Sequence, residues 1–114
     1  MAALRSAGED FGMVRHMVRL VIKSGQWDAF LAAHTAWNEV AVTLGLPAYK
    51  VYSSDWGTFS EAFSEGEYQS SGDIEARFNA VQKDAKYRAA MTALSQHFVD
   101  GQSRDYVLSE EIAD

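Results

Sequence analysis

Residues Met13–Lys23 (MVRHMVRLVIK) alternate imperfectly but are rich in Val and Ile, the pattern of a half-buried strand. Val14, His16, Val18, Leu20 and Ile22 fall on one face; Arg15, Met17, Arg19, Val21 and Lys23 fall on the other. Ser24-Gly25 closes the run. From Gln26 to Leu44 the period becomes helical. Trp27, Phe30, His34, Trp37, Ala41 and Leu44 recur at spacings of three and four and form one stripe, flanked by Leu31 and Asn38. Gly45 suits the C-terminal cap, and Pro47, the only proline, blocks continuation.

The stretch Ala48–Phe63 reads as two short strands, Ala48–Ser54 and about Thr58–Phe63, joined at Asp55-Trp56-Gly57. Phe59, Glu61, Phe63 and Glu65 share one face of the later strand; Thr58, Ser60, Ala62 and Ser64 share a smaller, polar one. Gly66–Gly72 reads as a polar loop or a first helical turn. Asp73–Val81 is a short helix with Ile74, Phe78 and Val81 inward. Tyr87, Met91, Leu94 and Phe98 mark a longer helix over about Lys83–Val99, ended by Asp100-Gly101, and Arg104–Ser109 is the last strand. The order strand–helix–strand–strand–helix–strand predicts an α+β fold: a four-stranded antiparallel sheet of ferredoxin-like topology with its helices on one face. Residues 13–109 form the single expected domain, with 1–12 a flexible leader and 110–114 an acidic tail.

In such a fold the second sheet face has no cover of its own. It would carry Tyr49 or Tyr52 and residues between Met17 and Val21, and exposing that apolar surface on a monomer is unfavourable. A second copy of the chain is the natural cover, so a homodimer is expected.

Charge and composition narrow the partners. The 114 residues carry a formal net charge of -6. Lys50 and Arg77 bracket a run with no base, holding Asp55, Glu61, Glu65, Glu67, Asp73 and Glu75. Nucleic-acid binding needs clustered Lys and Arg, so DNA or RNA is not an expected partner. No segment reaches the roughly 18–20 apolar residues of a membrane span, and the first dozen lack the apolar core of a secretory signal. Cysteine is absent, which removes disulfides, thiol nucleophiles and Cys-ligated metal centres and fits a reducing cytoplasm. There is no phosphate-binding glycine loop and no G-x-S-x-G elbow.

The element order over Met13–Ser109, the strand pair around Ser54-Asp55-Trp56-Gly57 and the run Asp84-Ala85-Lys86-Tyr87-Arg88 opening the last helix resemble the dimeric α+β barrel superfamily, most of all its NIPSNAP-like branch. The resemblance implies two sheets packed face to face and a small pocket in each subunit between sheet and helices. It also implies a broad range of functions: cofactor-free quinol monooxygenases, haem-degrading monooxygenases, polyketide cyclases, lactone isomerases, dehydratases and binding proteins. The haem degraders use an Asn, a Trp and an axial His. Here the first strand has no Asn, and the first His after Trp56 is His97, far along the last helix.

Candidate chemistry centres on His34, which interrupts an apolar stripe and so faces the sheet. A histidine there is either a hydrogen-bonded core residue or a general base. His16 shares a strand face with Val18, Leu20 and Ile22 and is the alternative base, or an exposed edge residue. Tyr49 or Tyr52, with Arg19, would steady a developing oxyanion. Arg19 and Arg15 lie on the opposite strand face, where Glu61 would pair with one of them across a dimer. Trp37, Tyr49, Trp56, Phe59 and Glu61 are candidate substrate contacts, the aromatic ones equally the ordinary substance of a small core. His16, His34 and Glu61 form a two-histidine, one-carboxylate metal set on paper, but no local spacing supports it; no metal or cofactor is expected. The reading that follows is a small cofactor-independent enzyme abstracting a proton from a flat apolar, phenolic or polyketide-like molecule, in the manner of a cyclase, isomerase or monooxygenase. A non-catalytic dimeric ligand-binding or stress-type protein is the alternative, and a haem-binding protein the third.

Overall fold

The computed structural model describes residues 13–54 and 60–109. Two strands and a helix open the chain: β1 (Val14–Val21), α1 (Trp27–Thr43) and β2 (Lys50–Ser53). β3 (Glu61–Tyr68), α2 (Ser71–Val81), α3 (Ala85–Ser95) and β4 (Arg104–Ser109) complete it. The sheet runs β2-β3-β1-β4 with every neighbouring pair antiparallel, the ferredoxin-like order read from the sequence. The expected Asp55-Trp56-Gly57 turn, together with Thr58, Phe59, the leader and the acidic tail, lies outside the described residues.

Side-chain parity decides which sheet face meets the helices. On β1, Val14, His16 and Leu20 are buried, with Val18 half-buried beside them; Arg15, Met17, Arg19 and Val21 look the other way. On α1 the buried residues are Phe30, His34, Trp37 and Ala41, the heart of the stripe seen in the sequence. The helix ends one residue short of Leu44, which stays exposed; the chain turns at Gly45 (φ 102°) and buries Leu46 instead. Ser70 accepts the Asp73 N–H at the start of α2 (3.1 Å), and Asp84 accepts the Tyr87 N–H at the start of α3 (2.9 Å). The C-terminal end of α3 is tied to the end of β1 by Lys23 N–H to the His97 carbonyl (2.9 Å) and Val99 N–H to the Val21 carbonyl (2.8 Å).

Most boundaries shift by a few residues from the sequence expectation. β2 is shorter than Ala48–Ser54, and α3 is shorter than Lys83–Val99. β3 runs to Tyr68, through residues expected to be loop or first helical turn. Its helix-facing positions are Ala62, Ser64, Gly66 and Tyr68, so the small face is the buried one. These small residues make room for rings lying on the sheet: a Cβ added at Gly66 would stand 2.5 Å from Tyr49 Cε1. The other sheet face presents exposed Tyr52, Tyr106 and Leu108 beside half-buried Met17 and Phe63, with an Arg19–Glu61 ion pair among them. Among the described residues no helix is long and apolar enough to cross a membrane.

Candidate functional site

Between the sheet and the three helices lies a cavity of about 470 Å³. β1 contributes His16, Val18 and Leu20, α1 contributes His34 and Trp37, and β3 contributes Ser64. Tyr49, Phe78, Tyr87, Leu94 and Phe98 add apolar wall, and Glu75, Asn79, Gln82 and Asp105 add polar groups from α2 and β4. A second, more open groove of about 590 Å³ flanks α1 and also reaches His34 and Tyr49, but its remaining walls are surface residues such as Thr35, Glu39 and Thr43. The cavity between sheet and helices gathers the buried polar side chains and is the candidate site.

His34 is buried and its Nε2 lies 2.8 Å from Ser64 Oγ, itself buried. Burial lowers the pKa of His34 below its ordinary value of 6.5, because a desolvated imidazolium is disfavoured. His34 is therefore neutral at pH 7. Nδ1 has no hydrogen-bond partner among the described residues, and in the tautomer whose Nε2–H donates to Ser64 it carries the ring's lone pair.

His16 heads a chain of polar groups. Its Nδ1 is 2.7 Å from the Tyr49 hydroxyl, which is 2.6 Å from the Tyr68 hydroxyl. On the other side, Asp105 Oδ2 lies 3.7 Å from His16 Nε2. The carboxylate favours a proton on Nε2, which leaves Nδ1 to accept from Tyr49 O–H and Tyr49 to accept from Tyr68 O–H. Burial pushes the Tyr49 pKa far up. Burial also raises Tyr68. Both phenols stay neutral. Tyr49 is held in place from α1: Asn38 accepts the Tyr49 N–H (2.9 Å) and donates to its carbonyl (3.1 Å).

The structure brings together His34, His16, Trp37 and Tyr49 of the residues singled out from the sequence. It separates Arg19, Glu61 and Tyr52 from them. Arg19 and Glu61 form an ion pair with each other within one chain, on the far face of the sheet, and Arg19 also donates to the Gln102 carbonyl (3.0 Å). Tyr52 pairs with Phe63 on that same face and is half-exposed. The cause is strand parity, since odd and even positions of one strand cannot share a face. Glu61 is thereby remote from the two histidines, so the paper metal set is not assembled. Among the described residues no group of three or more His, Cys, Asp and Glu could hold a metal ion. His97 lies outside the cavity and meets Gln26 Oε1 at 2.8 Å. Trp56 and Phe59 lie outside the described residues.

Sequence reasoning missed Ser64, Tyr68 and Asp105 as site residues. Tyr68 and Ser64 carry a period-2 signal with Ala62, but Gly66 interrupts it and two of the four residues are not apolar.

No protein-family model and no curated protein matches the chain by sequence. Solved structures do match. A NIPSNAP family protein from Agrobacterium tumefaciens superposes with a TM-score of 0.71 at 20% identity, covering 87% of this chain and 86% of that one. A NIPSNAP domain protein from Burkholderia xenovorans gives 0.73 at 14% identity, covering 86% and 94%. A candidate antibiotic biosynthesis monooxygenase from Nitrosomonas europaea gives 0.66 at 13%, covering 87% and 90%. The chain thus shares its fold with NIPSNAP proteins and with a monooxygenase-like protein, as the resemblance in the sequence implied.

Proposed function

We propose that the protein binds a flat, apolar small molecule between its sheet and helices and abstracts a proton from it, with His34 as the base. The observation that carries this reading is a buried, neutral histidine at the wall of a largely apolar cavity of about 470 Å³. The Nδ1 lone pair of His34 takes the proton. Ser64 Oγ then accepts from Nε2–H of the imidazolium and offsets part of the cost of a buried charge. Tyr49, backed by His16 and Tyr68, supplies a neutral hydroxyl at the same wall. Cyclisation, isomerisation or oxygenation of the resulting carbanion all begin with this step. The fold shared with the monooxygenase-like protein of Nitrosomonas europaea supports oxygenation as one of these outcomes. The open sheet face, with Tyr52, Tyr106 and Leu108 exposed, supports a homodimer formed by two such faces. A cytoplasmic location rests on the cysteine-free composition.

Hydrogen–deuterium exchange tests the proposal. 2-Tetralone is flat, largely apolar and carries acidic C–H bonds next to its carbonyl. The protein should accelerate exchange of those protons in D2O, and His34→Gln should lose about 10²-fold or more of the acceleration while staying folded. Undiminished exchange in the variant, or none in the parent, refutes the assignment and leaves a binding protein whose histidines serve its packing.

A further inference from the structure

Two buried polar atoms of residues that line the cavity lack a hydrogen-bond partner among the described residues. Trp37 is 4% exposed and Tyr87 1%, and among the described residues neither Trp37 Nε1 nor Tyr87 Oη has a hydrogen-bond partner. Buried donors are nearly always bonded, so two bare ones in the wall of one cavity call for a reason. Burial raises the Tyr87 hydroxyl above the usual tyrosine range, and the Trp37 N–H partly offsets this. The two rings are neighbours, with centroids 6.3 Å apart, and no hydrogen bond joins them.

The charges around the same cavity set a second constraint. Glu75 and Asp105 are among its lining residues, none of those described is Lys or Arg, and His34 is neutral. Arg19, the cation that could have served an anionic ligand, sits on the other sheet face with Glu61. An anion entering here would lose its hydration and gain no counter-charge.

We infer that the cavity takes an uncharged ligand, and that an acceptor oxygen of that ligand, of the ketone or quinone-carbonyl type, is received by the Trp37–Tyr87 pair. This rests on the cavity being a binding site and adds which ligand it selects and where the ligand's oxygen sits. The Tyr87 O–H donates to the ligand oxygen, and the Trp37 N–H either shares that oxygen or supports the Tyr87 hydroxyl. The capping of α3 fixes the anchor, because Asp84 accepts the backbone N–H of Tyr87 itself.

Three naphthalene probes of one shape separate the possibilities: 2-acetylnaphthalene, 2-isopropenylnaphthalene (CH2 in place of the oxygen) and 2-naphthoate. Calorimetric affinities should place 2-naphthoate weaker than the ketone. The ketone-to-alkene affinity ratio should fall about tenfold in Tyr87→Phe, the loss of one good hydrogen bond. The unliganded Tyr87→Phe protein should melt no lower than the parent, because it loses an unbonded hydroxyl. A preference for naphthoate, an unchanged ratio in Tyr87→Phe or a lower melting temperature of that variant overturns the inference alone, with the alkene still bound. Failure of all three probes to bind overturns the cavity reading as well.

Discussion

Replacing Gly66 by Ala is a small change with a large expected effect. Gly66 lies in β3 with no left-handed backbone to protect, so on chain entropy alone the substitution should stabilise the strand by roughly 0.5–1 kcal/mol. The added Cβ would stand 2.5, 2.7 and 2.8 Å from Cε1, Cζ and Cδ1 of Tyr49. Carbon atoms pack at about 3.5–4.0 Å, so the ring must retreat by about 1 Å. Its hydroxyl is held at 2.7 Å from His16 Nδ1 and 2.6 Å from the Tyr68 hydroxyl. Such a shift breaks at least one of these bonds. Overpacking costs about 1–3 kcal/mol and a buried polar group left unbonded about 1–3 more. After the entropic gain, a net loss of about 1–5 kcal/mol is expected. Urea unfolding measures it, and a double-mutant cycle with Tyr49→Val assigns it, because a side chain ending at Cγ leaves room for the new methyl. Gly66→Ala should be strongly destabilising in the parent and nearly neutral beside Tyr49→Val. A neutral or stabilising Gly66→Ala in the parent would refute the placement of Tyr49 over β3.

Other consequences follow from the same geometry. His34 has a folded-state pKa below its unfolded value near 6.5, so the unfolded chain takes up its proton first as pH falls. Its contribution is fully present above pH 6.5 and is lost between 6.5 and the depressed value; His34→Phe should flatten that part of the stability–pH curve relative to the parent, as urea midpoints from pH 5 to 8 would show. Arg19 and Glu61 keep only 21% and 10% of their side-chain surface exposed. Glu61→Gln should therefore cost about 1–3 kcal/mol in thermal or urea unfolding, because the half-buried Arg19 charge loses the Glu61 carboxylate beside it. Met17→Lys, in the middle of the open sheet face, should convert the proposed dimer to a monomer in sedimentation experiments without altering the cavity; an unchanged dimer would place the interface elsewhere, and a monomeric parent would refute the dimer.

The sequence made some of this legible and hid the rest for identifiable reasons. The α1 stripe spoke plainly because large apolar residues recur at helical spacing, and His34 stood out as the polar interruption. The parity of β1 correctly set His16 apart from Arg19. β3 was obscure because its buried face is Ala62, Ser64, Gly66 and Tyr68, small or polar residues chosen to fit rings above them and carrying little hydrophobic signal. Tyr49 and Tyr52 could not be told apart without the register that pairs Tyr52 with Phe63 on the far face. The His16–Tyr49–Tyr68 chain joins residues 33 and 19 positions apart, and contacts of that range follow from topology and not from any local spacing.

The three histidines offer the most direct test of the central claim, that the cavity between sheet and helices is the ligand site. His16 and His34 line it, whereas His97, bonded to Gln26, does not. Long-range proton–nitrogen NMR spectra of the histidine rings, recorded while 2-acetylnaphthalene is added, read all three at once. The His16 and His34 signals should move and saturate together while His97 stays fixed. Fixed His16 and His34 signals up to the probe's solubility, or movement of His97 alone, would contradict it.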